Sequence, residues 1–189
     1  MGVQYSSYSA LGTSIETAEI TAGAVTAAKL ASMGAMIEVG SDTLTGADSV
    51  IEVTGLDLDT DGVYIGYISC EAAANGVLGI YLNSDSTATN YYAQEYNVNN
   101  AAIAGSRGNA FAPFGLNAGE NAVIWFMISP DVDGYPRILW FSNMYAVASL
   151  QIRNCYCVRN NTANVTSIHV YNNGSNFSAG SKLVIYKPN

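Results

Sequence analysis

From Met36 onward the chain is punctuated at short intervals. Runs of four to ten residues rich in β-branched and aromatic side chains alternate with clusters of Gly, Asn, Asp and Ser. The runs are MIEV (36–39), VIEVT (50–54), GVYIGYIS (62–69), GVLGIYLN (76–83), NYYAQEY (90–96), FAPFGL (111–116), AVIWFMIS (122–129), RILWFSN (137–143), LQIRNCYCVR (150–159), VTSIHVY (165–171) and KLVIYK (182–187). Several alternate with period two, the spacing of a strand with one face inward. In SIHVY, Ile168 and Val170 share a face opposite His169 and Tyr171; in KLVIYK, Leu183 and Ile185 oppose Val184 and Tyr186. The links LDLDTDG, NSDSTATN, SPDVDGYP, RNNTAN and NNGSNFSAG carry turn chemistry. Many short strands at such spacing predict an all-β sandwich. About eleven strands suit a jelly-roll-like antiparallel arrangement, with no helix expected after residue 35.

Charge narrows the partners. The chain has 7 Lys and Arg against 15 Asp and Glu, a net charge of −8. All the acids lie at or before Asp133, while Arg137, Arg153, Arg159, Lys182 and Lys187 follow it, so the two halves can attract within one sandwich or between subunits. An acidic chain without clustered Lys and Arg is not expected to bind nucleic acid. No apolar run approaches the ~20 residues of a membrane span, so membrane insertion is not expected. The start, MGVQYSSYSA, has neither basic region nor apolar run, and no secretory signal is expected.

The residues offer little catalytic chemistry. Three cysteines, Cys70, Cys155 and Cys157, make no disulfide framework, and they are expected to be buried thiols. With a single histidine, His169, no metal centre or cofactor is expected. Asp57 to Gly62 reads D-x-D-x-D-G like the start of a calcium loop, but its twelfth position is Ile68 where Glu is required. A polar turn is the simpler reading. No G-x-S-x-G elbow accompanies His169, and no motif marks a carboxylate pair, so the chain is not expected to be an enzyme. Two stretches could hold a glycan, because exposed aromatics stack on sugars beside Asn and Asp. They are NYYAQEYNVNN (90–100), with Tyr91, Tyr92 and Tyr96, and GYPRILWF (134–141), with Tyr135 and Trp140. The same rings could equally fill the core or a subunit interface.

Residues 1–33 have a different texture, rich in Ala, Thr and Ser. Ile15, Ile20, Val25 and Leu30 fall five apart, a spacing that suits neither a helix nor a strand. Thr13-Ser14-Ile15-Glu16 matches a capping box, yet Gly23 interrupts the seam that would follow. Such an arm has no core of its own and gains one only against partner subunits or another protein. The expected division is an assembly arm, 1–33, and a β domain, 34–189.

Here a resemblance becomes specific. EITAGAVTAAKLA (19–31) resembles a pattern of tailed-bacteriophage fibre and appendage proteins, roughly I-T-x-G-x-[IV]-T-x-A-K-L-A. GIYLNSDSTATNYYAQEY (79–96) is similar to a strand-turn-strand stretch of that family, and SIHVYNNGSNFSAGSKLVIYKPN (167–189) to its closing strand pair. The chain departs from the usual closing Tyr-Gly, ending Tyr186-Lys187-Pro188-Asn189. The resemblance implies a virion protein without catalysis: a short fibre or capsid decoration, expected as a homotrimer, anchored to capsid or tail proteins by the arm. The alternative it implies is a lectin-like domain that adsorbs to host surface polysaccharide.

Overall fold

A computed structural model describes residues 35–99, 102–108, 114–146 and 149–189. The arm positions Ile15, Ile20, Val25 and Leu30 lie outside these residues. Met36–Pro188 forms one compact unit. Its strands are β1 (Met36–Thr43), β2 (Val50–Thr54), β3 (Tyr64–Glu71), β4 (Gly76–Leu82), β5 (Tyr91–Asn99), β6 (Ala102–Gly108), β7 (Phe114–Leu116), β8 (Asn121–Pro130), β9 (Pro136–Ala146), β10 (Ser149–Arg159), β11 (Ser167–Asn173) and β12 (Lys182–Pro188).

Two antiparallel sheets pack as a sandwich. The larger has the order β1-β12-β3-β8-β9-β10-β5-β6, the smaller β2-β11-β4-β7. The chain crosses repeatedly between them, so that β1-β12-β3-β8 faces β2-β11-β4-β7 in a jelly roll. Two insertions widen one side. The hairpin β5–β6 falls between β4 and β7, and the hairpin β9–β10 between β8 and β11. Both add beyond β8, which makes the large sheet twice as wide as the small one.

Period-two alternation places the core between the sheets. Ala122, Ile124, Phe126 and Ile128 of β8 point inward and are buried, as are Ile138 and Trp140 of β9 and Cys155 and Cys157 of β10. Opposite them stand Ile51 and Val53 of β2, Leu78, Ile80 and Leu82 of β4, and Ile168 and Val170 of β11. Each large side chain so buried contributes roughly 1.5–3 kcal/mol. Gly66 lets the Phe126 ring lie directly on β3: a Cβ there would stand 1.9 Å from Phe126 Cζ.

Three sequence expectations change. A single helical turn, α1 (Leu58–Asp61), and a 3-10 turn (Ala88–Asn90) occur where none was expected. The aspartates explain the first: the Asp57 carboxylate accepts from Thr60 N at 3.2 Å and Thr60 Oγ1 at 2.8 Å, and Gly62 ends the turn at φ 76°. Asp61 accepts from the Tyr64 hydroxyl at 2.6 Å and from Lys187 Nζ. The D-x-D-x-D-G stretch is therefore a capped turn tied to β3 and β12. The third change is β6, whose Ala- and Gly-rich run AIAGSRG carries no strand signal of its own and is held by its ladder to β5.

Candidate functional site

The first candidate is the outer face of the large sheet. Register across the sheet aligns outward side chains into rows perpendicular to the strands. One row runs Val184–Tyr67–Trp125–Phe141–Asn154–Tyr96, and the next Tyr186–Ile65–Met127–Leu139–Tyr156–Gln94. Trp125 is 50% exposed, Phe141 52%, Tyr92 49% and Tyr96 47%, with Val123, Met127, Ile152 and Tyr156 also open. Tyr67 and Trp125 pack with centroids 4.7 Å apart. These side chains leave on the order of 700 Å² uncovered, since a large aromatic carries about 150–250 Å². That exceeds the roughly 300–600 Å² of the largest apolar patch on an ordinary monomer and approaches the ~800 Å² that one partner of a stable interface buries. Among the described residues, charge on this face is confined to its margins. Arg137 pairs with Asp131 and donates to the Tyr156 hydroxyl, and Lys182 Nζ stands 5.5 Å from the Tyr67 ring centroid. A depression of about 310 Å³ lies between Tyr96 and Tyr156, bordered by Leu139 and Asn154.

The second candidate is a groove of about 430 Å³ on the outer face of the small sheet. Cross-strand register builds it. Glu52, His169 and Tyr81 are neighbours across β2, β11 and β4, and Val50, Tyr171 and Gly79 form the next row. Tyr81, Tyr171, His169 and Asn173 line it, with Ser84 and Ser86 from the turn after β4. The Tyr81 ring is held between Tyr171, at 6.0 Å, and the buried Tyr91, at 6.1 Å. Burial, and secondarily the nearby Tyr171, pushes the Tyr81 hydroxyl above its ordinary pKa, so it remains a neutral donor.

The turn that walls this groove is strained. Asn83 and Ser84 take φ of 55° and 56°, left-handed backbone that costs non-glycine residues roughly 1–2 kcal/mol each. Asn83 holds the conformation: its Nδ2 donates to Asn164 O at 2.6 Å, and its Oδ1 accepts from Thr166 N at 2.8 Å and Ser167 N at 3.2 Å. Below the turn, the Asp85 carboxylate meets Arg159 at 3.3 Å, with side chains 14% and 5% exposed.

Ser84, His169 and Glu52 suggest a hydrolase triad by composition but not by geometry. Ser84 Oγ lies 2.8 Å, Ser167 Oγ 3.0 Å and Glu52 Oε1 3.0 Å from the same atom, His169 Nε2. The Glu52 carboxylate only accepts, so its contact calls for a proton on Nε2, whereas Nε2 without that proton would accept from a serine hydroxyl; one nitrogen cannot do both. A relay needs the serine on one ring nitrogen and the carboxylate on the other. With the serine and the carboxylate both on Nε2, this arrangement lacks that relay geometry. Among the described residues no cluster of three or more His, Cys, Asp or Glu could hold a metal ion.

The five aromatic residues singled out from sequence divide. Tyr92 and Tyr96 are exposed on the large sheet, and Tyr135 is half-buried beside the Asp131 turn. Tyr91 and Trp140 are interior, 0% and 2% exposed, and cannot meet a glycan. The Tyr91 hydroxyl accepts from Leu82 N at 3.1 Å. The reason is phase: Tyr91 and Trp140 occupy inward positions of β5 and β10's neighbour β9, while Tyr92 and Phe141 take the outward ones. Sequence reasoning missed Trp125 and Phe141, although apolar residues at both phases of AVIWFMIS and RILWFSN were the available signal. It also missed the groove, whose parts are spread from Val50 to Asn173. Comparison with protein-family models, curated proteins and solved structures finds no match, so the functional reading rests on this chain's own residues, motifs and geometry.

Proposed function

We propose that this chain is a non-catalytic structural protein of a tailed-phage virion, a short fibre or capsid decoration that associates with copies of itself, most simply as a trimer. The observation that carries the reading is the uncovered aromatic and aliphatic outer face of the large sheet. Monomeric proteins rarely leave that much apolar surface open to water, and the thin, marginal charge imposes little desolvation cost on a contact there. The hairpins β5–β6 and β9–β10, which also bring Tyr91, Ile138, Trp140, Cys155 and Cys157 to the core, widen the sheet and so extend this face. The phage assignment is supported by the motif at 19–31, and the arm it belongs to is the proposed attachment to capsid or tail proteins.

The reading is tested on particles. Phage produced by cells carrying the gene are banded on a density gradient and probed with antibody to this chain. The chain is expected to band with DNA-filled particles and to label them at repeated positions. Recovery only at the top of the gradient, with bare particles, would refute virion assembly. Adsorption to host polysaccharide is a second reading, supported by the exposed Tyr92 and Tyr96.

A further inference from the structure

The geometry points to a sugar-binding site in the groove on the small sheet, one that takes a neutral hexopyranose unit. This inference does not depend on the assembly reading, which concerns the opposite sheet. A pyranose offers an apolar face of C–H groups and a rim of hydroxyls, and the groove offers the matching pair. Tyr81 and Tyr171 supply aromatic surface, their rings held 6.0 Å apart by adjacent strands. Ser84, Ser86, Asn173 and His169 supply donors and acceptors around the rim. The volume, about 430 Å³, lies within the range of small-molecule sites and holds one or two sugar rings.

Two observations favour a built site over an incidental furrow. The side chains stand on three neighbouring strands whose register fixes their spacing. The turn that brings Ser84 to His169 keeps two successive non-glycine residues in left-handed backbone, a conformation that persists only where its surroundings impose it. Asn83 imposes it here through hydrogen bonds to the loop before β11. The class of sugar follows from charge. Among the described residues no Lys or Arg lines the groove, and Glu52 stands beside it against His169. A uronate or sialate carboxylate would meet Glu52 with no cation among the described residues to offset it, whereas a neutral ring brings no charge to oppose Glu52.

The test uses the full chain and free sugars, so that binding is read independently of oligomeric state. Saturation-transfer NMR is run against glucose, galactose, mannose, N-acetylglucosamine, glucuronate and sialic acid, followed by a glycan array to rank oligomers. At least one neutral sugar is expected to receive saturation, with its ring C–H face strongest. Tyr171→Ala should weaken binding at least tenfold. Ser86→Trp, which fills the groove from an exposed turn position and leaves the core intact, should abolish it with an unchanged unfolding midpoint. No transfer to any neutral sugar, preference for the acidic sugars, or binding that survives Ser86→Trp would each overturn the proposal. Because the sugars are monomeric, failure here leaves the assembly reading untouched.

Discussion

Replacing Asp85 by alanine should be among the most damaging single changes in the β domain, though Asp85 sits in a turn. Its carboxylate accepts from Asn90 Nδ2 at 3.0 Å, from Thr87 N at 3.2 Å and from Arg159 Nε and Nη2 at 3.3 Å each. The Arg159 side chain is only 5% exposed, and among the described residues its Nη1 has no hydrogen-bond partner. Without Asp85 a guanidinium is left buried and uncompensated, a loss of roughly 3–5 kcal/mol in comparable cases. The 3.3 Å contacts are longer than an optimal charged hydrogen bond and Asp85 is 14% exposed, so we expect the lower end, about 3 kcal/mol. For a domain of this size that is about 6–12 °C in Tm. Urea unfolding at fixed protein concentration should show a lower midpoint with unchanged m. Adding Arg159→Met should recover most of the loss, because the pair is then replaced rather than broken. The pH dependence follows from the carboxyl. Burial alone would raise its pKa, but the hydrogen bonds from Asn90, Thr87 and Arg159 outweigh burial and hold it below the usual value. Its contribution is therefore complete above the unfolded pKa of about 3.9 and is lost as pH falls through the lower folded value. The gap between the parent and Asp85→Ala should be flat from about pH 5 to 8 and close below about pH 4. A loss under about 1 kcal/mol, or a double variant no more stable than the single one, would refute the reasoning.

Two further outcomes follow. Gly66→Ala should destabilise by roughly 1–3 kcal/mol through collision with the Phe126 ring, and Gly66→Ala with Phe126→Leu should regain part of it; chemical denaturation of both checks this. Burial pushes the Cys70, Cys155 and Cys157 thiols up to about 12, so a thiol reagent at pH 8 should label none of them in the folded protein and all three in denaturant. Rapid labelling of one native thiol would contradict their placement.

The fold class was legible because alternation and turn chemistry agree along most of the chain. In SIHVY and KLVIYK the alternation separates Ile168 and Val170 from His169 and Tyr171, and Leu183 and Ile185 from Val184 and Tyr186, and the structure buries the first set of each run. Where both phases are apolar, the pattern cannot say which faces in. RILWFSN offers Ile138 and Trp140 against Leu139 and Phe141, and NYYAQEY offers adjacent tyrosines. Only the ladders to neighbouring strands decide. That ambiguity is the mark of the widened sheet, whose outer face is apolar as well. The groove was illegible for another reason: its residues come from three strands and a turn, and no local pattern joins them. The Asp57 turn shows a third limit, since the same aspartates serve a cap, a tyrosine and a lysine once the chain folds back.

The central claim is that the outer face of the large sheet is where copies of this chain meet. Light scattering on the full chain and on Trp125→Glu with Phe141→Glu tests it most directly. These positions are half exposed and outside the core, so the variant should fold with an unchanged circular dichroism spectrum. The account predicts a discrete multimer for the parent, most simply three chains of 19.9 kDa each, and a single chain for the variant. A parent that is itself a single chain, or a variant that keeps the parent's mass, would contradict it.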